Sequence, residues 1–436
     1  MAEADRGRAT PSPDWLTSGS SHLWLPYAQM KVAPTPIAVV GAEGARLKLA
    51  DGRELIDGVS SWWTVCHGYN HPHIRAAVAA QLQAVPHVML GGLATEPTLR
   101  LAKRLADLLP GDLDHMFFSE SGSVSVEIAM KMAVQYWINR GQTGRHRFVS
   151  FRFGYHGDTL AAMSVCDPDE GMHGLFKGYL PQQIIADVPA TREQQAEFTR
   201  LLRAHRDEVA AVIIEPLVQG AGGMKFYGPE VLRFLRQACD EADCLLILDE
   251  IMTGFGRIGP MFACAEAEIV PDIITLSKAL TGGTLPLAAT IATRKVFEAF
   301  LSDDPGKALM HGPTYMGNAL ACAAANASLD LFEREPRLSQ VRAVEAQLRA
   351  ELEPCRRLTG VVDVRVRGAL GVVQLTRAGE GPWFRPRFLE DGVWIRPFGD
   401  IVYVAPPFVI PSDELARLTQ AIVRHVSAWS QQRAAA

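Results

Sequence analysis

Six nearly unbroken apolar runs recur along the middle of the chain: "HMFFS" (115–119), "RFVSF" (147–151), "AAVIIEP" (210–216), "CLLILDE" (244–250), "DIITLSK" (272–278) and "LAATIAT" (287–293). Stretches with helical spacing intervene, such as "VSVEIAMKMAVQYW" (124–137), a strongly amphipathic helix, and "PEVLRFLRQACDEA" (229–242). A strand that faces water on one side alternates apolar and polar residues. Runs without alternation are buried on both faces, which requires helices above and below a largely parallel sheet. Ligands of such open sheets sit at the carboxyl ends of the strands. Asp249 and Lys278 both fall at such ends.

The flanks read differently. Residues 1–20, rich in Pro, Ser, Gly and Asp, have little to bury and read as disordered. From 36 to 60 short β-like pieces alternate with turns, with Asp51-Gly52 as a hairpin signal. "EPTLRLAKRLADLL" (96–109) carries Leu99, Ala102, Leu105 and Leu109 at helical spacing and is stopped by Pro110. Beyond 330, "VVDVRVRG", "LGVVQLT", "GVWIRPF" and "IVYVAPPF" are short strands, followed by the helix "SDELARLTQAIVRHVSAW", as in a smaller α+β unit.

Bulk properties narrow the function. A net charge of −5 and the lack of a basic stripe speak against nucleic acid and against acidic membrane surfaces. No apolar run reaches the ~18 residues a membrane span needs, and the polar N-terminus has no signal-peptide core. Cys66, Cys166, Cys239, Cys244, Cys264, Cys322 and Cys355 are scattered with no C-x-x-C pair, which fits reduced thiols and a cytoplasmic location. His67, His71 and His73 have no acidic ligand cluster or H-E-x-x-H helix beside them, so no metal site is expected.

"LLILDE" also describes the metal-binding strand of a nucleotide hydrolase. That chemistry needs a glycine-rich phosphate loop, and Gly306-Lys307 lacks its flanking residues. An aspartate and a lysine on neighbouring strand ends fit pyridoxal phosphate better: a lysine makes the imine, and an acid keeps the pyridine nitrogen protonated. Read alone, such a pair is also found in structural roles. Gly122 and Ser123, opening a helix after a strand, offer an anion site or simply a helix cap. Tyr155, in "FRFGYHGDT" beside His156, could stack on a flat ring or be an ordinary loop aromatic. Tyr27, Trp62 and Trp63 could wall a cleft or join the core, and Arg396 in "VWIRPF" is either a surface charge or a carboxylate clamp. The turn Gly312-Pro313-Thr314 carries only a weak local signal.

Taken together, "HLWLPY", "DGVSSWWTVCHGYNHP", "HVMLGGL", "SGSVSVEIAMKMAVQYW", "GYHGDTLAAMSVCDP", "IIEPLVQGAGGM", "DEIMTGFGRIG", "KALTGGTLPLAAT", "MHGPTYMGN" and "GVWIRPFG" resemble the class III pyridoxal-phosphate-dependent aminotransferases of fold type I. The resemblance runs from about Trp24 to the last helix. It implies an α/β fold, with a mainly parallel sheet in a large domain (66–330) plus a smaller α+β domain (331–436), against which the N-terminal segment (1–65) packs. It also implies that Lys278 makes the Schiff base and moves the proton, while Asp249 pairs with the pyridine nitrogen. Ile251 would lie under the ring, Tyr155 over it, and Gly122 and Ser123 at the phosphate. Pro313 and Thr314 would reach the phosphate from the second subunit of an obligatory homodimer with shared active sites. Tyr27, Trp62, Trp63 and Gly312 would line the substrate channel, and Arg396 would take the keto-acid carboxylate.

Within the family the double Trp, "HGPT" and "WIRPF" resemble the biotin-synthesis branch, which moves the amino group of S-adenosylmethionine to 8-amino-7-oxononanoate. Another ω-aminotransferase, using lysine or a different amine donor, is the alternative. Ala221 stands where many relatives carry an acid that parries an active-site arginine, a departure that fits this branch. Glu120 and Ile258 also depart from the family's usual Asp and Thr, away from the chemistry. The resemblance implies no role for the divergent segments 187–200 and 376–388.

Overall fold

A computed structural model describes residues 13–169 and 173–434 of the chain. Part of the stretch expected to be disordered is ordered: Asp14–Ser20 is a helix, while residues 1–12 lie outside the described residues. Leu16 is buried beneath it, and the hydroxyls of Thr17, Ser18 and Ser20 bond back to helix carbonyls. Three short strands follow: β1 (Val39–Glu43), β2 (Arg46–Leu49) and β3 (Glu54–Asp57). The turn between β2 and β3 uses Gly52 at φ 87°, the left-handed conformation the Asp-Gly pair signals.

The apolar runs then become β4 (Leu113–Ser119), β5 (Arg147–Phe151), β6 (Ile184–Ala186), β7 (Val209–Ile214), a ribbon of β8 (Val218–Gln219) and β9 (Lys225–Phe226), β10 (Leu245–Asp249), β11 (Ile273–Leu276) and β12 (Ala288–Thr293). The main sheet has the order β4-β12-β11-β10-β7-β5-β6. All its strands point one way except β12, which runs against β11 and β4. The reversal has a simple cause. Parallel neighbours need a crossover of a dozen or more residues, usually a helix, and the link from β11 to β12 (277–287) holds only the short 3-10 helix Lys278–Thr281. β6, at three residues, is too short to stand out in the sequence.

Helix Gly122–Asn139 packs along this sheet. It is less amphipathic than its sequence suggests: only Lys131 and Ile138 within it are exposed, because β-strands and neighbouring helices enclose the rest. In helix Glu96–Leu108 the core contact falls to Leu101 and Leu105, and Leu99 faces solvent. Near the C-terminus β13 (Val361–Arg367), β14 (Leu370–Leu375) and β16 (Ile401–Val404) form an antiparallel sheet. The intervening β15 (Val393–Trp394) instead pairs in parallel with β3. Backbone bonds from Ile56 to Gly392, Gly58 to Trp394 and Ala405 to Gly58 stitch the two ends of the chain together. Among the described residues no helix is long and apolar enough to cross a membrane.

Candidate active site

Sheet register builds the centre of the site. Parallel pairing sets Asp249, the last residue of β10, opposite Thr275 of β11. Three residues beyond Thr275 the chain reaches Lys278, on the same edge of the sheet. Strand alternation separates the two acids of "LLILDE". Asp249 turns into a cavity, whereas Glu250 accepts hydrogen bonds from the backbone N–H groups of Ala263 and Cys264 and shapes the following turn. Lys278 itself has φ 44°, an unusual backbone for a side-chain-bearing residue and of the kind that concentrates at functional sites. Gly282 and Gly283, also at positive φ, let the next turn press against Ile74 and Val65, where a Cβ would lie within 2.9 and 2.7 Å of those side chains.

An inner cavity of about 180 Å³ is lined by Gly122, Ser123, Tyr155, His156, Asp249, Ile251 and Lys278, with Glu215 at one wall. Asp249 is anchored on both oxygens: Oδ2 lies 2.7 Å from His156 Nδ1, and Oδ1 accepts from the N–H of Ile251 at 3.1 Å and the hydroxyl of Thr275 at 3.3 Å. Burial opposes charge on His156, but the bond and charge of Asp249 outweigh it and leave the imidazole more basic than usual. Lys278 Nζ sits 4.6 Å from the centre of the Trp63 ring and has no hydrogen bond or ion pair among the described residues. Burial lowers its pKa, against the opposing pull of Asp249 and Glu215. The Glu215 carboxyl accepts from the N–H groups of Tyr155 and Gly220, and burial pushes its pKa up to about 7.

The N-terminus of helix Gly122–Asn139 reaches this cavity through close packing. A Cβ on Gly122 would meet Ile251 at 3.0 Å, and one on Gly157 would meet Ser123 Oγ at 2.2 Å. The Ser123 hydroxyl accepts from the N–H of Thr159, tying loop to helix.

An outer cavity of about 580 Å³ shares Trp63, Tyr155, Asp158, Ala221 and Lys278 with the inner one and extends past Tyr27 and Trp62 to Arg396. The Arg396 guanidinium lies 4.7 Å from the centre of the Trp62 ring. Tyr27 donates to Asp158 and its hydroxyl lies 3.2 Å from that of Tyr155, while His173 holds the other Asp158 oxygen at 2.9 Å. This His173 bond is the main reason the Asp158 pKa is lowered. Burial, then Asp158, pushes the Tyr27 hydroxyl up to about 12.

A strand-end lysine without a partner, a held aspartate and a helix N-terminus around one cavity match a known constellation. The model for class-III aminotransferases matches residues 27–426. The chain belongs to the class-III aminotransferases. It is 46% identical over 413 residues to the adenosylmethionine-8-amino-7-oxononanoate aminotransferase of Mycobacterium leprae (strain TN), covering 93% of this chain and 94% of the relative. The crystal structure of the enzyme of that name from Methanocaldococcus jannaschii DSM 2661 superposes with a TM-score of 0.90 at 36% identity, covering 94% and 98% of the two chains. An amine transaminase from an uncultivated Pseudomonas species, solved in its pyridoxal-phosphate-bound form, gives 0.87 at 32% identity over 94% and 98%.

Pyridoxal phosphate is the cofactor of this aminotransferase family, and the inner cavity fits it. A buried amine without a partner, a carboxylate held by hydrogen bonds on both oxygens and the N–H groups of a helix start would meet the three polar ends of that molecule. Of the residues singled out in the sequence, Gly122, Ser123, Tyr155, Asp249, Ile251 and Lys278 line the inner cavity, and Tyr27, Trp62, Trp63, Tyr155, Lys278 and Arg396 line the outer one. Gly312, Pro313 and Thr314 line neither; Gly312 and Thr314 are exposed, and the Thr314 carbonyl lies 3.0 Å from His87 Nε2.

Sequence reasoning assigned no role to His156, Asp158 or Glu215, and none to Arg385, Phe398 or Tyr403 of the outer cavity. His156 and Asp158 sit in the same "GYHGDT" loop as Tyr155, so a signal was present there. Arg385 lies in the divergent stretch 376–388, where none was.

Proposed function

We propose that the aminotransferase moves the amino group of S-adenosylmethionine to 8-amino-7-oxononanoate, giving 7,8-diaminononanoate in biotin biosynthesis. The observation that carries this reading is the outer cavity. It brings the Lys278 amine, the rings of Trp62, Trp63, Tyr27 and Tyr155, and the Arg396 guanidinium around one space. Flat apolar walls accommodate an adenosine in one half of a ping-pong cycle and an alkyl chain in the other. Ala221, lining both cavities, leaves Arg396 without an acid at that position. The likeness to relatives named for this reaction supports the same substrates.

Pyridoxal phosphate supplies an electron sink beside the carbon that loses its proton, and it carries nitrogen between the two substrates. Each residue then has a defined task. Asp249, steadied by His156, holds a proton at the pyridine nitrogen. Lys278, whose amine burial keeps less basic than usual, carries a proton at Nζ to and from the substrate's reacting carbon. The N–H groups at Gly122 and Ser123 would hold the phosphate, and Ile251 and Tyr155, which line the same cavity, would pack against the ring. Arg396 takes the carboxylate of the keto acid.

We further propose a homodimer in which Gly312, Pro313 and Thr314 complete the neighbouring subunit's site. The exposure of Gly312 and Thr314, and of the apolar side chains of Met310 and Tyr315 beside them and of Met89 and Leu93 in residues 87–93, supports a covered surface there. A boundary near residue 65 and another near 330 divide the chain in this reading, with the pairing of β3 and β15 joining the N-terminal segment to the small C-terminal unit. The expected location is the cytoplasm.

An absorption spectrum tests the reaction. The visible band of the bound cofactor should bleach with S-adenosylmethionine and return with 8-amino-7-oxononanoate. The similar amine transaminase favours a second reading, with another donor, and bleaching by lysine or a simple amine but not by S-adenosylmethionine would establish it.

A further inference from the structure

The outer cavity holds two guanidiniums, and only one has a task. Arg385, on helix Gly381–Glu390, lines the same space as Arg396. Its Nε is buried without a hydrogen-bond partner, and among the described residues neither arginine makes an ion pair. The nearby acids are engaged elsewhere. Glu380 pairs with Arg433, Asp158 with His173 and Tyr27, and Asp400 accepts from Gln374. The two cations also sense each other: burial first, and then the charge of Arg385, lower the pKa of Arg396. Like charges facing one partly dry cavity, whose lining acid Asp158 is already held by His173 and Tyr27, are a site for an anion.

We propose that Arg385 is a second carboxylate-binding residue, acting with Arg396 as a two-guanidinium clamp on the far carboxylate of the amino acceptor. A carboxylate has two oxygens and lone pairs for both forks, so one such group can bridge the pair. The assignment rests on the transamination reading above and sharpens it. The two substrates carry their carboxylates in different places. In S-adenosylmethionine the carboxylate is on the carbon that bears the reacting amine, next to Lys278. In 8-amino-7-oxononanoate it is at the opposite end of the alkyl chain from the ketone. Arg396 faces the Trp62 ring while Lys278 faces that of Trp63, so a clamp there favours the acceptor's terminal carboxylate and leaves donor recognition to the residues around the inner cavity.

The experiment compares the wild-type holoenzyme with Arg385→Gln. Because Arg385 makes no hydrogen bond or ion pair among the described residues, its loss should leave the fold intact, which a thermal melt checks. Charge-assisted hydrogen bonds of this kind predict a rise of about 10-fold or more in the KM for 8-amino-7-oxononanoate, with a far smaller change in the half-reaction with S-adenosylmethionine. Nonanoate, titrated by quenching of tryptophan fluorescence, should bind about 10-fold more weakly to the variant, whereas nonanol should bind both proteins alike. Equal binding of nonanoate by the two proteins, or equal loss in both half-reactions, overturns the clamp. Failure of the wild type to react with 8-amino-7-oxononanoate would defeat the substrate assignment instead, and the nonanoate titration would still decide the role of Arg385.

Discussion

Trp62 and Trp63 reach their places through a piece of backbone that ordinary residues avoid. Ser60, Ser61, Trp62 and Trp63 have φ of 49°, 45°, 59° and 70°, a complete left-handed turn built without glycine. At about 1–2 kcal/mol for each L-residue, this conformation costs roughly 4–8 kcal/mol. Asp57 supplies the opposing term. Its fully buried carboxylate accepts from the N–H of Val59 at 2.8 Å, the N–H of Ser61 at 3.0 Å and the hydroxyl of Tyr69 at 2.6 Å. Bonds to a charged acceptor contribute about 1.5–3 kcal/mol each, so the three together match the cost of the turn. Burial raises the Asp57 pKa, and removing the charge returns part of that stabilisation. Asp57→Ala is therefore expected to lose about 3–5 kcal/mol, the range for a broken buried charge network. Urea unfolding of the holoenzyme, followed by tryptophan fluorescence, measures it. Because the turn sets Trp62 against Arg396 and Trp63 against Lys278, KM for both substrates should rise together with the instability. A loss below about 1 kcal/mol with unchanged KM would refute the reasoning and leave side-chain packing as what holds the turn.

Three further expectations follow from the inner cavity. Lys278→Ala should retain no more than a few per cent of wild-type turnover, about a 30-fold loss or greater, while the protein still folds and binds cofactor in part; a steady-state assay with a cofactor-binding titration decides it. His156→Leu removes the donor that fixes Asp249 Oδ2, and losing a buried charge-assisted bond of about 1.5–3 kcal/mol should weaken cofactor retention roughly 10- to 100-fold in equilibrium dialysis. Glu215 gives a pH signature. Its folded pKa of about 7 lies above the ordinary 4.5, so the ionised form is disfavoured in the fold, and stability is lost as pH rises from the lower value through the upper one. Relative to Glu215→Gln, the wild type should lose about 2 kcal/mol between about pH 5.5 and 8.5 in matched urea titrations, and a flat difference would contradict it.

Much of the fold was written locally. Runs such as "LLILD" and "AAVII" contain no polar position that could face water, so their burial between helices followed from composition and spacing alone. The strand-end aspartate and lysine were legible for the same reason: a charged residue closing such a run stands out against it. Resemblance then supplied the chemistry for Tyr155, Gly122, Ser123 and Ile251. Other features depend on contacts between residues far apart in the chain, and periodicity carries no record of those. The antiparallel turn of β12 depends on a link too short for a crossover, and the parallel pairing of β15 with β3 brings residues 393 and 56 side by side. His156 gains its meaning only from lying 2.7 Å from Asp249, and Arg385 only from facing the same cavity as Arg396. The sequence by itself determined the layers, the buried strands and the lysine at a strand end, because burial is a property of each residue's own chemistry. Tertiary structure alone decided which side chains meet around the inner cavity and which charges there remain without a partner, because hydrogen bonds and ion pairs belong to pairs of residues brought together in space.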